Sequence, residues 1–325
     1  MPSLSILDAI GNTPLVPLAR LARGLPVSVL AKCEHLNPGG SVKDRLALAL
    51  VDDAERRGVL APGATLIEAT AGNTGLGLAL VAAVRGYALV CVMPEKMSSD
   101  KRDALRAAGA RIVITRNAPP SDPDNFQNVA RRLAAEHGWF LTDQFESPVN
   151  PRIHEETTGP EILAQAGGRV GAFVAGAGTG GTITGVGRFL KARVPGVRVV
   201  LADPVGSVLA GWVRTGVIGA DASYLIEGIG SSKPPGVLDR AVIDEAEEIS
   251  DEESFAVTGR LWREEGLLVG GSAGTAVAAA LRVAARGIGP VVVLLPDAWD
   301  RYRSKPWMSG LSRDEHASPT KTDGG

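Results

Sequence analysis

The feature that most constrains this chain is a repeated alternation. A short apolar, β-branched run is followed by a loop rich in glycine and hydroxyls, and then by a stretch of helical period. "VSVLAKCE" (27–34), "ATLIEAT" (64–70), "ALVCVMP" (88–94), "ARIVIT" (110–115), "VGAFVAG" (170–176), "VRVVLAD" (197–203) and "PVVVLLP" (290–296) read as strands. Helices are predicted from Ser41 to about Arg57, over 73–86 with Gly86 as its stop, from Ser98 or Ser99 to Ala108, over 126–137, and from about Thr182. These strand runs are mostly apolar and β-branched, and they alternate with helices. That argues for parallel α/β sheets covered by helices. At 325 residues the chain is long for one core and suggests about two domains.

Composition narrows the function classes. The chain is 45 % hydrophobic and 22 % charged with a net charge of −2, so neither nucleic acid nor an anionic membrane is an expected partner. Cys33 and Cys91 lie in apolar runs and read as buried, reduced thiols, which fits a cytoplasmic setting. The N-terminal "MPSLSILDAIGNTPLV" lacks the pattern of a signal peptide, and no apolar run has the length of a membrane span. His35, His137 and His154 show no metal-ligand spacing and are assigned no role. The polar segment 308–325 is expected to be disordered.

The loops carry the chemistry. In "NPGGSVKDR" (37–45) a lysine, Lys43, follows two glycines and a serine at a helix start, where the macrodipole already disfavours positive charge. A lysine that gives up its charge by forming an imine escapes that penalty. "GAGTGGTITG" (176–185) joins a buried strand to a helix and forms a cup of backbone N–H groups suited to an anion. Gly176, Gly178 and Gly181 also satisfy G-x-G-x-x-G, with Asp203 ending the next strand, so a dinucleotide site is a rival reading. The hydroxyls of Thr179, Thr182 and Thr184 suit a terminal phosphate better than a buried diphosphate bridge. "EATAGNTG" (68–75) offers Thr70, Asn73 and Thr74 to a carboxylate, or is a helix start capped by Asn73. "VGGSAGTA" (269–276) lets Ser272 approach a flat ring, or is a tight turn before a helix, and "EGIG" (227–230) is a glycine turn.

Taken together and in this order, "NPGGSVKDR", "GNTG", "GTGGT", "GIG" and "GGSAG" resemble the fold-type II pyridoxal-phosphate enzymes, and among them the cysteine synthase and cystathionine β-synthase group. "DQFESPVNP" and "LPDAWDRY" match as well, so the likeness covers roughly residues 4 to 307. The resemblance implies two three-layer α/β domains with mostly parallel sheets, like the tryptophan synthase β-subunit. Residues 1–42 plus 149–307 would form the large cofactor-binding domain and 43–148 a smaller mobile substrate domain. It implies pyridoxal 5′-phosphate as cofactor, with Lys43 as the catalytic lysine that forms the imine and then moves protons. Asn73 would bond the cofactor's 3-hydroxyl oxygen. Gly178, Thr179, Gly180, Gly181 and Thr182 would hold its phosphate, and Ser272 would face the ring nitrogen. Thr70, Gly72, Asn73, Thr74 and Gln144 would bind the substrate carboxylate, with Gly228 lining the substrate side. A homodimer acting on small amino acids follows from the same resemblance.

The implied reaction is β-replacement on O-acetylserine, O-phosphoserine or serine through an aminoacrylate, with sulfide or a thiol as nucleophile, giving cysteine or cystathionine. A synthase of 2,3-diaminopropionate type with an amine nucleophile, and a catalytically silent cofactor-binding partner protein, are the alternatives. The chain departs from the family pattern at Ala69 and Ala71, where the relatives carry proline and serine, and at "SSKPPG" after Gly230. There Lys233 meets either a second substrate's anionic group or only water.

Overall fold

The computed structural model describes residues 5–311 apart from Ala71, Lys96, Ser98 and Pro120. The strands are β1 (Leu15–Pro17), β2 (Val29–Cys33), β3 (Thr65–Ala69), β4 (Ala88–Pro94), β5 (Arg111–Thr115), β6 (Phe140–Leu141), β7 (Ala172–Gly176), β8 (Arg198–Pro204), β9 (Glu245–Ile249) and β10 (Val291–Leu295). The helices are α1 (Lys43–Arg56), α2 (Asn73–Arg85), α3 (Ser99–Ala107), α4 (Phe126–His137), α5 (Val149–Ile153), α6 (Gly159–Gln165), α7 (Gly181–Arg193), α8 (Leu209–Thr215), α9 (Asp251–Glu265), α10 (Gly271–Ala285) and α11 (Pro306–Leu311).

Two sheets organise these elements. The larger has six strands in the order β1-β2-β10-β7-β8-β9, parallel except where β1 meets β2, and the smaller has four parallel strands in the order β5-β4-β3-β6. The apolar runs behave as their composition demands. All of β10 is buried, and most of β7, β8 and β4. One face of the larger sheet packs on α9 and α10 through Val174, Val200, Ala276 and Val293. The other packs on α6, α7 and α8 through Phe173, Ile183, Val199 and Leu201. The smaller sheet lies between α1 and α2 on one side and α4 on the other. An α/β fold with helices on both faces of each sheet is the expected class.

Chain reversals after β2, β3, β7 and β10 lie at the carboxyl ends of parallel strands, where open α/β sheets hold their ligands. Cys33 and Cys91 are free and buried, and desolvation pushes both thiols up to about 12. Several elements were not predicted: β1, β9, α8 and α9. The segment expected to be a disordered tail begins with structure, because α11 covers 308–311. Pro306 opens that helix, and Trp307 stacks on Phe255 with ring centroids 4.8 Å apart. The remainder, 312–325, lies outside the described residues, as does Ala71.

Candidate active site

Lys43 is the first residue of α1, and its helix start is pinned from below. Arg45 Nε bonds Glu34 Oε2 at 2.8 Å and Arg45 Nη1 bonds Glu161 Oε1 at 2.7 Å. Lys32 Nζ reaches Glu161 Oε2 at 2.7 Å, and Glu34 and Lys32 are fully buried. Asp44, beside Lys43, accepts the Gly39 amide at 2.6 Å and so fixes the glycine turn before the lysine. The Lys43 ammonium lies 3.3 Å from Thr179 Oγ1. With no carboxylate beside it, burial lowers its pKa from 10.5 to about 8.

The cavity at Lys43 is lined by Asn73, Gly178, Thr179, Gly180, Thr182, Gly228 and Ser272, with Val42, Gly176, Ile229, Leu294, Pro296 and Asp297 completing the wall. Of the expected cofactor contacts, all but Gly181 border this cavity. Gly181 lies just behind, where an added Cβ would stand 1.9 Å from Asn150 Oδ1. Gly178 has no more room, since a Cβ there would come within 2.3 Å of the Gly228 carbonyl. The two glycine turns are therefore packed backbone to backbone. Gly180 has a φ of 87°, the left-handed conformation that turns the loop into α7.

Thr70, Thr74 and Gln144 are buried together to one side. Thr74 Oγ1 donates to Gln144 Oε1 at 2.6 Å. Gln144 is held at both ends of its backbone: its amide donates to Glu68 Oε2 at 3.2 Å, and its carbonyl accepts from Asn150 Nδ2 at 2.8 Å. Asn150 Nδ2 also donates to Thr179 Oγ1 at 3.0 Å, tying the Gln144 turn to the glycine loop and through it to Lys43. Burial raises Glu68 to about 7 against the bonds from Thr142 and Gln144.

Several residues of the site escaped the sequence reading. Asp297 accepts from Asn73 Nδ2 at 2.7 Å and from the Tyr302 hydroxyl at 2.6 Å, while complete burial raises its carboxyl pKa. Asn150 stood inside the quoted "DQFESPVNP", and Asp297 inside "LPDAWDRY", but neither had a spacing that marked it. A second cavity of about 170 Å³ adjoins the first and shares Asn73 and Gly228 with it. Its wall combines Leu76, Ala104 and Leu105 with Lys101, Glu227, Arg301 and Tyr302. Glu227 pairs with both Lys101 and Lys305. Burial alone would raise this carboxyl, but the two ammonium groups outweigh it and hold the pKa below the usual value.

Lys233 is exposed and lines neither cavity. Asp203, the acid of the rival dinucleotide reading, is wholly buried and accepts the Ala210 amide at 2.8 Å, capping α8.

Pyridoxal phosphate fits this donor set. The first-turn N–H groups of α7 have no intrahelical acceptors and would turn the positive helix end toward a phosphate in the cavity, beside Thr179 and Thr182. A lysine with a lowered pKa stands across the cavity, and Ser272 and Asn73 offer polar groups to a ring between apolar walls. A parallel α/β fold with such a site defines a pyridoxal-phosphate enzyme. The family model for pyridoxal-phosphate dependent enzymes matches residues 6–297, and the chain belongs to that family.

Among its relatives, the chain is 47 % identical to cystathionine beta-synthase of Rattus norvegicus over 95 % of its own length and 57 % of the relative's. It is 42 % identical to cysteine synthase of Staphylococcus aureus over 95 % of the chain and 98 % of the relative. It thus spans little more than half the length of the mammalian relative. Among solved structures, O-ureido-L-serine synthase superposes with a TM-score of 0.88 at 43 % identity, over 97 % of this chain and 98 % of that one. No helix among the described residues is long and apolar enough to cross a membrane.

Proposed function

We propose that this chain catalyses β-replacement on an L-serine derivative: the substituent on Cβ leaves and a nucleophile takes its place. The observation that carries the reading is Lys43. Its amine is lowered to about 8 by burial, beside Thr179, in a cavity that also gathers Asn73, Ser272 and the N-terminus of α7. Pyridoxal phosphate, when bound, supplies an electron sink for negative charge at the substrate's Cα.

The chain's own residues do the rest. Lys43 Nζ, neutral above about pH 8, accepts the proton from Cα and holds it for the leaving group. The turn formed by Thr70, Gly72, Asn73 and Thr74, with Gln144 behind it, binds the substrate carboxylate. Ser272 is neutral and holds no proton on the ring nitrogen by charge, which favours prompt loss of the β substituent. The segment 43–148 acts as the unit that closes on substrate. The Lys101–Glu227 pair, which links α3 to the loop after α8, is a contact that such closure would use.

The adjoining cavity receives the nucleophile. Its volume of about 170 Å³ and its mixture of apolar and oppositely charged groups support an amino-acid thiol over sulfide, which needs neither. Likeness to O-ureido-L-serine synthase, whose named product carries oxygen on Cβ, keeps a nucleophile other than sulfur as a second reading, an amine included. The test is direct. Holoenzyme is incubated with O-acetylserine, O-phosphoserine or serine and, separately, with sulfide, homocysteine or an amine, and the products are weighed. Cystathionine or cysteine is expected, and no product from any pair would refute the proposal.

A further inference from the structure

His154, which belongs to no recognisable motif, sits directly beneath the glycine loop. α5 runs into α6 through a wider π-type turn, His154–Thr158, of the kind often found at functional sites. The turn presses this segment against α7 so closely that a Cβ at Gly185 would stand 2.0 Å from the Pro151 carbonyl and 2.9 Å from His154 Cβ. The imidazole is completely buried, and each ring nitrogen faces a hydroxyl. Nδ1 lies 2.9 Å from Thr158 Oγ1, and Nε2 lies 3.2 Å from Thr182 Oγ1. Thr182 in turn lines the Lys43 cavity.

A neutral imidazole has one N–H, so the direction of the Thr182 bond depends on the tautomer. If Nδ1 carries the proton, Nε2 must accept from Thr182, and that hydroxyl turns only lone pairs toward an anion in the cavity. If Nε2 carries it, Thr158 donates to Nδ1, His154 donates to Thr182, and the Thr182 proton is free to point into the cavity. We infer that His154 is a positioning residue for cofactor binding: held as the Nε2–H tautomer, it makes the Thr182 hydroxyl a donor to the cofactor's phosphate. Burial, and then the nearby charges of Lys43 and Arg45, hold the ring well below its ordinary pKa, so it stays neutral and this choice persists. The inference rests on the glycine–threonine turn being the phosphate cradle.

The tautomer is read on the wild-type protein by ¹⁵N NMR of labelled histidine, with the His154 signals assigned by their loss in His154→Gln. A protonated Nε2 and bare Nδ1 are expected; the reverse, or protonation of both, overturns the inference. Dissociation constants for pyridoxal 5′-phosphate and for phosphate-free pyridoxal supply the second readout. His154→Phe removes the donor that orients Thr182 and leaves that hydroxyl free to turn away, so the phosphate form should weaken by roughly three- to tenfold, the worth of one neutral hydrogen bond, with pyridoxal within about twofold. His154→Gln, whose amide nitrogen can still donate to Thr182, should stay near wild type. Equal weakening of both ligands would mark a merely structural residue, as would an undiminished His154→Phe effect in a Thr182→Val background. If the wild type binds pyridoxal as tightly as its phosphate, the cradle assignment itself fails, and the inference with it.

Discussion

Replacing Lys43 by methionine should stabilise the cofactor-free protein at neutral pH and not at high pH. The stem is nearly conserved, so the change removes mainly a charge. Burial lowers the folded-state pKa from 10.5 to about 8. At about 1.36 kcal/mol per tenfold change in proton affinity, keeping this amine charged costs the folded state about 3 kcal/mol. The cost is fully present below about pH 8, where both states are protonated, and it fades as pH rises toward 10.5, where the unfolded lysine also loses its proton. Against the gain stands the hydrogen bond to Thr179, 3.3 Å long and worth about 1 kcal/mol. Lys43→Met should therefore gain about 2 kcal/mol at pH 7 and lose a fraction of a kcal/mol at pH 10.5. Urea unfolding of the cofactor-free proteins at both pH values measures this. A variant that gains nothing at pH 7, or gains equally at both, would show that the lysine is not held in a desolvated site.

Other expectations follow from the same contacts. Capture of pyridoxal phosphate by the cofactor-free protein requires the neutral amine, so its second-order rate should rise through about pH 8 and then level off, followed by absorbance. A rise only near pH 10 would contradict the desolvation of Lys43. Asn150→Leu removes the donor to the Gln144 carbonyl and to Thr179 and leaves both acceptors buried. Cofactor affinity should fall at least about tenfold and the substrate KM should rise; an unchanged affinity would sever the link between the two turns. Glu227→Gln leaves Lys101 and Lys305 without their shared carboxylate. The acceptor KM should rise about three- to tenfold, more at low salt, with a smaller rise in the donor KM because closure loses its Lys101 contact.

What could be read in the sequence and what could not have separate physical causes. The apolar runs of β4, β7 and β10 announce themselves because both faces are buried, and the glycine loops because backbone conformation and close approach leave no other residue type there. β9 reads "EAEEI" and carries no such mark. It is an edge strand whose hydrogen bonds come from β8 and whose acids are matched by Arg198, Arg282 and Arg286. β1 is short and edge-lying in the same way. In the site, Lys43, Asn73, Thr179 and Ser272 are legible because each stands in a local pattern. Asn150, Asp297 and His154 reach the site through Thr179, Asn73 and Thr182, which lie 28 to 224 residues away, and no local pattern encodes such a contact.

The central claim is that the ε-amine of Lys43 is the group that bonds covalently to pyridoxal phosphate. Reducing the holoenzyme with borohydride makes that bond permanent, and peptide mass spectrometry then locates it. The account predicts a phosphopyridoxyl group on the peptide containing Lys43 and on no other lysine. Its appearance on Lys32, Lys101 or Lys233 instead, or its absence from every peptide, would contradict the account.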